Sequence, residues 1–461
     1  MKPLPLLNRK RELALLRRAV ERRGSSLVCL YGRRRLGKSR LVRELLGRRP
    51  AVYYVGDDRD GPVQRSALAV EMGRILPHFA SVTYPGWSEL LDRFWNESPE
   101  GAILALDEFP ALVTSAPELP SLLQKKIDRP GRKGRKVILC GSSQRMMQGL
   151  VLAPATPLYG RAEVVLKVEP LAPSWIRSAL RAKTAIEAVE QYAVWGGVPR
   201  YWELARSYRG LWEGLANLVL DPMGVLHGEP NRLLLDDMTE VARAASILSV
   251  IGSGANRVSE MGARLEVPAT SLSRPIQRLL ELGLVHRDIP FGSSPKDSKR
   301  SLYRIGDPFL AFYHRFVEPN RSRLAAGQVH QTLEEVRSQW PVFLGARWEQ
   351  MVRDSVARRR LFGTIWKPAA RFWGAGTSQA PIELDLVAES TTDPNRVLVG
   401  EVKLTATKGQ MAGILDKLER TARDCPALTG KTLIFAVWVL RREGLPRDRR
   451  VLGAEHVLWS D

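Results

Sequence analysis

The spacing of apolar and polar positions changes character several times along the chain. Over roughly the first 165 residues, short apolar runs alternate with stretches whose apolar residues recur every three or four positions. That is the signature of strands and helices laid down in turn to build a parallel sheet. Leu27–Tyr31, Ala51–Val55, Ala102–Leu106 and Val137–Cys140 are read as strands. From about Pro170 to Arg232 the pattern is helical. A further helix-rich unit begins near Leu233 and closes in a hairpin expected between His286 and Ile305. The polar passage Glu318–Gly327 reads as a linker, and Val336–Asp461 returns to mixed helix and strand. The domain limits that follow are 1–165, 166–232, 233–310, a linker at 311–335, and 336–461.

Chemistry enters at Gly32–Ser39, GRRRLGKS, a full match to G-x-x-x-x-G-K-[ST]. The apolar run SLVCLY precedes it and the helical stretch SRLVRELL follows, so the motif lies between a strand and a helix. Gly32 and Gly37 let backbone amides close around phosphate oxygens, and the following helix adds its positive N-terminal end. Lys38 is placed to reach the β and γ phosphates and Ser39 to ligate Mg²⁺. The run AILALDEF ends a second strand in Asp107, suited to the magnesium, and Glu108, suited to orienting and deprotonating the attacking water. A further strand, VILCGSS, ends in Ser142 and Ser143, where a hydroxyl either senses the γ-phosphate or caps the next helix. Arg161 is a candidate cation for the transferring phosphoryl group, from its own chain or from a neighbouring subunit. Cys29 and Cys140 fall inside apolar strands and read as core residues.

Taken in order, YGRRRLGKS, LALDEF, LCGSS, LYGR and WGGVPRYWE resemble the archaeal-type ATPase family of archaea and bacteria, in the AAA+/STAND branch of P-loop ATPases. The resemblance covers about the first 230 residues. It implies an ATP site between core and helical lid, with Gly196, Gly197, Val198 and Pro199 in the lid and Pro199 close to the adenine. Without it, Gly-Gly-Val-Pro is only a tight turn.

The middle unit reads as helix, helix, turn, helix and hairpin. Ser259–Leu265 and Thr270–Leu282 flank a turn at Val267-Pro268, and Phe291–Lys299 forms the hairpin tip. This is the pattern of a winged helix-turn-helix. As a DNA reader it would present Thr270, Ser271, Ser273, Arg274 and Arg278 to the major groove, with Lys296, Lys299 and Arg300 on phosphates. As a packing element it would present none of them. Pro275 is tolerable only in the first turn of its helix.

In PIELDLVAESTTDPNRVLVGEVKL, the segments Ile382–Ala388 and Val397–Leu404 read as strands joined by turn chemistry at Thr391–Asn395. Glu383 and Asp385 share one face, as do Glu401 and Lys403. Pairing across the turn would bring Asp385 and Glu401 to one divalent ion with Lys403 beside them. Glu349, in the helix GARWEQMVRDSV, would add an acidic contact. The arrangement resembles the PD-(D/E)xK nuclease core over about residues 340–440, with Leu384 where that pattern has proline. The resemblance implies that Asp385 and Glu401 are metal ligands, Lys403 the catalytic lysine and Glu349 an accessory carboxylate. A nuclease fold kept only for binding or assembly, or a salt-bridged hairpin with no site, accounts for the same residues.

Charge sharpens the choice of partner. Among 461 residues, 70 are Lys or Arg and 49 Asp or Glu, a formal charge of +21, and 54 of the cations are Arg. Nucleic acid, nucleotide phosphates or an acidic membrane surface would each answer that excess. Basic clusters stand at Arg129–Lys136, Arg358–Arg360 and Arg441–Arg450, suited to a duplex-binding rim or to solvated faces. At 44% apolar and 26% charged, the composition excludes a disordered or collagen-like chain. No apolar run reaches the ~18 residues of a membrane span and no leader pattern opens the chain. Three cysteines make no disulfide framework, so a cytoplasmic setting is expected.

The fold class expected is α/β: a P-loop ATPase core with a helical lid, a winged helix-turn-helix and a C-terminal restriction-endonuclease-like domain. The function expected is Mg²⁺-dependent ATP hydrolysis coupled to action on DNA, in a chain that forms a homo-oligomer if Arg161 acts across subunits. The alternative is a signalling or scaffold ATPase with a non-cutting C-terminal module.

Overall fold

The computed structural model describes residues 4–458 except 129–133, 239, 295, 297–299, 358, 443 and 446–447. Lys299, Arg358 and parts of the clusters at 129–136 and 441–450 therefore lie outside the described residues.

The N-terminal region is a five-stranded parallel sheet of order β2-β3-β4-β1-β5. Its strands are β1 (Ser26–Tyr31), β2 (Ala51–Val55), β3 (Ile103–Asp107), β4 (Lys136–Gly141) and β5 (Ala162–Lys167). Every residue of β3 and β4 is buried, as expected of near-continuous apolar runs covered on both faces. Alternate residues face two cores. Val28, Leu30, Ile103 and Ile138 join one apolar cluster, and Leu27, Cys29, Leu104 and Val137 another. β5 escaped the sequence reading because its edge position leaves only Val164 buried, which breaks the apolar run.

Helices fill most of 173–237, and the middle unit follows as expected. Helix Val258–Arg264 and a turn of 3₁₀ helix at Ala269–Leu272 lead to helix Ser273–Glu281, then to the hairpin β6 (Val285–Asp288) and β7 (Leu302–Ile305). Pro275 falls in the first turn of its helix. The passage 311–335 is not a linker. It consists of short helices whose Phe312, Phe316, Val317 and Leu324 are buried, followed by the start of the long helix Val329–Val356. Among the charged residues that made it read as solvated, Arg321 and Arg323 are exposed.

After a small hairpin, β8 (Arg360–Leu361) and β9 (Thr364–Ile365), the C-terminal sheet runs β10-β11-β12-β13-β14. Its strands are β10 (Ala370–Ala375), β11 (Pro381–Glu389), β12 (Arg396–Thr405), β13 (Thr432–Arg441) and β14 (Val451–Leu452). The first three pair antiparallel and the rest parallel. The two-residue period sends Leu386, Ala388 and Leu398 towards Trp348 and Val352 of the long helix. Val387, Val397 and Val399 face Met411, Leu415 and Leu418 of helix Lys408–Arg423. Among the described residues, no helix is long and apolar enough to cross a membrane.

Candidate nucleotide and carboxylate sites

The phosphate loop leaves β1 at Gly32, whose φ of +142° and position leave no room for a side chain. A Cβ there would lie 2.7 Å from the Val168 carbonyl. Gly37, at φ +89°, turns the chain into helix Lys38–Leu46. Lys38 is buried and folds back over the loop, donating to the carbonyls of Gly32 (2.7 Å) and Arg33 (3.1 Å). Asp107 ends β3 beside Ser39. Burial opposes its charge, yet hydrogen bonds from Ser39, Tyr53, Cys140 and the Glu108 amide outweigh it and hold the carboxyl below its usual range. The Tyr53 hydroxyl contributes at 2.5 Å. An anionic carboxylate against a hydroxyl at the foot of a phosphate loop is a fitting donor set for Mg²⁺.

Glu108 follows in the left-handed conformation, φ +50°. Its Oε2 accepts from the Ser142 hydroxyl at 2.9 Å and the Ser142 amide at 3.2 Å. Of the two roles left open for these serines, the structure shows the cap. Ser142 holds Glu108, while Ser143 caps the next helix, accepting from the Met146 amide, and donates to Asp237.

The three variable arginines of the loop each meet a downstream carboxylate. Arg33 pairs with Asp307 and donates to the Tyr201 hydroxyl (3.1 Å), Arg34 pairs with Asp236 (2.9 Å), and Arg35 with Glu229 (2.9 Å). Tyr201 in turn donates to Glu229 at 3.0 Å. Burial raises the Asp236 carboxyl to about 6 against the pull of Arg34, with Asp237 and Glu108 adding to the rise. Burial raises Glu229 as well, despite Arg35. Sequence reading missed these carboxylates because charge complementarity between distant segments leaves no spacing signal.

One nucleotide-site assignment changes. Arg161 stands at the start of β5, where Ala162 pairs with Leu27 near the start of β1, so it lies at the end of the sheet away from the loop. Its guanidinium is bound to Asp128 at 2.8–3.0 Å, and action on its own chain's phosphates is excluded by that placement. Pro199 opens helix Pro199–Ala205, but Gly197 is the residue of this element that borders the cavity beside the loop.

The C-terminal residues converge more fully. The register Leu386↔Gly400, carried one residue on, sets Asp385 opposite Glu401. Asp385 Oδ2 accepts from the Val402 amide at 2.9 Å, and Lys403 Nζ bonds Glu401. A recess of about 230 Å³ is lined by Glu383, Asp385, Glu401 and Lys403, together with Lys417 and Thr421, which the sequence reading did not single out. Burial, then Glu401 and Glu349, push the Asp385 carboxyl up to about 6. Glu349 bonds Arg353 at 3.6 Å, and Arg353 donates to the Asp385 carbonyl at 3.0 Å. Among the described residues, no three carboxylate, imidazole or thiolate groups already form a tight metal cluster. Asp385 and Glu401 form a pair, with Glu349 flanking it.

In the middle unit Thr270, Ser271, Ser273 and Arg274 are exposed. Arg278 is not available to a groove, being half-buried against Asp237 and Glu281. The described residues at either end of the hairpin tip are docked as well. The Phe291 amide donates to the Arg371 carbonyl (2.7 Å) and Arg300 to the Trp373 carbonyl (2.6 Å), so Arg300 is spent on β10 rather than free for a phosphate.

Residues 6–204 match the family described as "ATPase domain predominantly from Archaea", and residues 313–414 the family described as "Archaea bacterial proteins of unknown function". An uncharacterized protein of Methanocaldococcus jannaschii is 27% identical over 401 residues, 86% of this chain and 87% of that one. The Walker-type ATPase of Pyrococcus abyssi superposes with a TM-score of 0.52 at 21% identity, covering 68% of this chain and 99% of that one. The N-terminal region therefore has an ATPase-type fold with a nucleotide-binding loop.

Proposed function

We propose that the chain binds and hydrolyses ATP with Mg²⁺ and uses that cycle to act on DNA. The observation that carries the first half is the meeting of Lys38 and Ser39 on the loop with Asp107 and Glu108 at the end of β3. Ser39 and Asp107 would hold the metal, which when bound neutralises charge on the transferring phosphoryl group. Lys38 turns from the loop carbonyls to phosphate oxygens. Glu108, aimed by Ser142, takes the proton of the attacking water. Arg161 takes part only across a subunit boundary, on a neighbour's nucleotide. The test is steady-state ATP turnover in Lys38→Ala and Glu108→Gln; unchanged turnover in both would refute the assignment.

The C-terminal reading is metal-dependent cleavage of phosphodiester bonds at Asp385, Glu401 and Lys403. Support comes from the sheet order behind helix Val329–Val356 and from the register that opposes the two acids across β11 and β12. DNA would reach the chain through Thr270, Ser271, Ser273 and Arg274. A second reading, a scaffold ATPase whose C-terminal module does not cut, gains from the docked ends of the hairpin tip, which make the winged unit a packing partner of β10. Plasmid cleavage with Mg²⁺ or Mn²⁺ separates the two.

A further inference from the structure

A cavity of about 600 Å³ opens beside the phosphate loop, in the ~300–1,000 Å³ range of small-molecule sites. One wall is the loop itself, through Arg33 and Leu36. Another is the long helix Val329–Val356 of the C-terminal region, through Arg347, Gln350 and Asp354. Positions 347, 350, 351 and 354 recur at three and four residues and so form a single helical stripe.

The lining is chemically mixed and electrically balanced. Four cationic side chains, Arg33 and Arg347 among them, face four carboxylates, Asp307 and Asp354 among them. Such a wall has no net preference for an anion, unlike the loop next to it. Leu36, Leu171, Leu284 and Met351 offer apolar surface. Asp354 is exposed and accepts from Gln350 at 2.6 Å, which leaves oxygen lone pairs for further donors. An uncharged, flat, polar-edged group with a diol fits this wall.

We infer that this cavity takes the nucleoside half of the nucleotide whose phosphates the loop holds, and that Gln350 and Asp354 of the C-terminal helix complete the nucleotide site. The inference rests on the phosphate-loop reading above. Phosphates remain on the loop amides, the base lies on the apolar wall, and the ribose hydroxyls donate to Asp354. The adjoining stripe of the same helix carries Glu349 and Arg353, which reach Asp385. One rigid element would then touch both the nucleoside and the carboxylate pair.

The experiment is calorimetric titration of the full chain with two probes, ATP and inorganic tripolyphosphate, in the parent and in Asp354→Ala and Gln350→Ala. Tripolyphosphate reports the loop alone. The expected result is ATP affinity weaker by on the order of tenfold in Asp354→Ala, as for a lost charged hydrogen bond, and less in Gln350→Ala. Tripolyphosphate affinity should be unchanged in both. ATP binding at parental strength in both variants overturns the inference, and so does an equal loss for the two probes. If the parent binds neither probe, the phosphate-loop reading itself fails.

Discussion

Asp236 offers a severe test of the proposed nucleotide site, because its carboxylate is held by an arginine of the phosphate loop. It pairs with Arg34 of the loop, and its electrostatic surroundings include Lys38 and Glu108. At pH 7.5 it is ionised. One unit of phosphate charge arriving within ~8 Å of that carboxylate, at an effective dielectric of ~20, would be repelled by about 2 kcal/mol, a factor of about 30 in affinity. Asp236→Asn removes that charge and releases Arg34, so ATP should bind on the order of 10 to 30 times more tightly at pH 7.5. The ratio of variant to parent affinity should fall towards one as the pH drops below about 6, where Asp236 takes up its proton. Protonation of ATP itself is common to both proteins and cancels in that ratio. Stability must follow in step. A carboxyl at about 6 in the folded chain binds protons that the unfolded chain, near 3.8, does not. The parent therefore loses stability as pH rises from about 4 to about 6, by at most ~3 kcal/mol, and the variant lacks that loss. Isothermal titration from pH 5.5 to 8 is the assay. A ratio at or below one throughout, or one independent of pH, would refute the placement of Asp236 beside the phosphates.

Other outcomes follow from the same geometry. Glu108→Gln should retain ATP while turnover falls by about 10²–10⁴, as for loss of a general base, whereas Lys38→Ala should lose ATP retention; radiolabel filtration and phosphate release distinguish them. Lys403→Ala should abolish plasmid nicking in Mg²⁺ or Mn²⁺, while Lys38→Ala keeps part of it; a parent that cuts in no metal would favour the scaffold reading. DNA affinity should drop steeply with salt, and Lys296→Ala, at an exposed phosphate candidate, should lower the log–log slope by about one, while Arg300→Ala should leave it unchanged because Arg300 is bound to Trp373. Asp307→Asn should keep the helix cap at the Leu310 amide yet strand the buried Arg33 cation, lowering stability in denaturant melts by roughly 3 kcal/mol, with Arg33→Met on the same background recovering at least half.

What could be read from the sequence was what repeats locally. β2 matches its apolar run residue for residue, β11 and β12 extend theirs by a position at either end, and the turn between them put Asp385 across from Glu401. The phosphate loop, Asp107 and Glu108 were legible because each lies at the end of a buried strand, where a polar residue contrasts with its apolar neighbours. Elements failed where local and tertiary signals part company. Phe312, Phe316 and Leu324 lie within a stretch that also carries the exposed Arg321 and Arg323, so the passage looked like a linker although its buried residues join the main core. Arg278 and Arg300 were assigned to DNA by position in a motif, and only the fold shows Asp237 and the Trp373 carbonyl already holding them.

The loop arginines show why this matters for mechanism. In G-x-x-x-x-G-K-[ST] the variable positions carry no phosphate chemistry, and here three of the four are Arg. Arg33 and Asp307 are both nearly buried, at 11% and 7% side-chain exposure, so neither charge has water to fall back on. A pair of this kind adds little net stability, but separating it costs about 3–5 kcal/mol because each partner is left desolvated. Any rearrangement of the loop around phosphates must therefore carry Asp307 with it or replace it by another anion close to Arg33. Asp307 also caps helix Pro308–Phe312, which packs against the helix Ala185–Trp195. The pair Arg34–Asp236 exchanges more cheaply, since Arg34 keeps access to solvent, whereas Arg35 is held by the buried Glu229. The loop is thus held at Arg33 and Arg35 and free to trade partners at Arg34, which puts the contact with Asp236 first in line to change when phosphates bind.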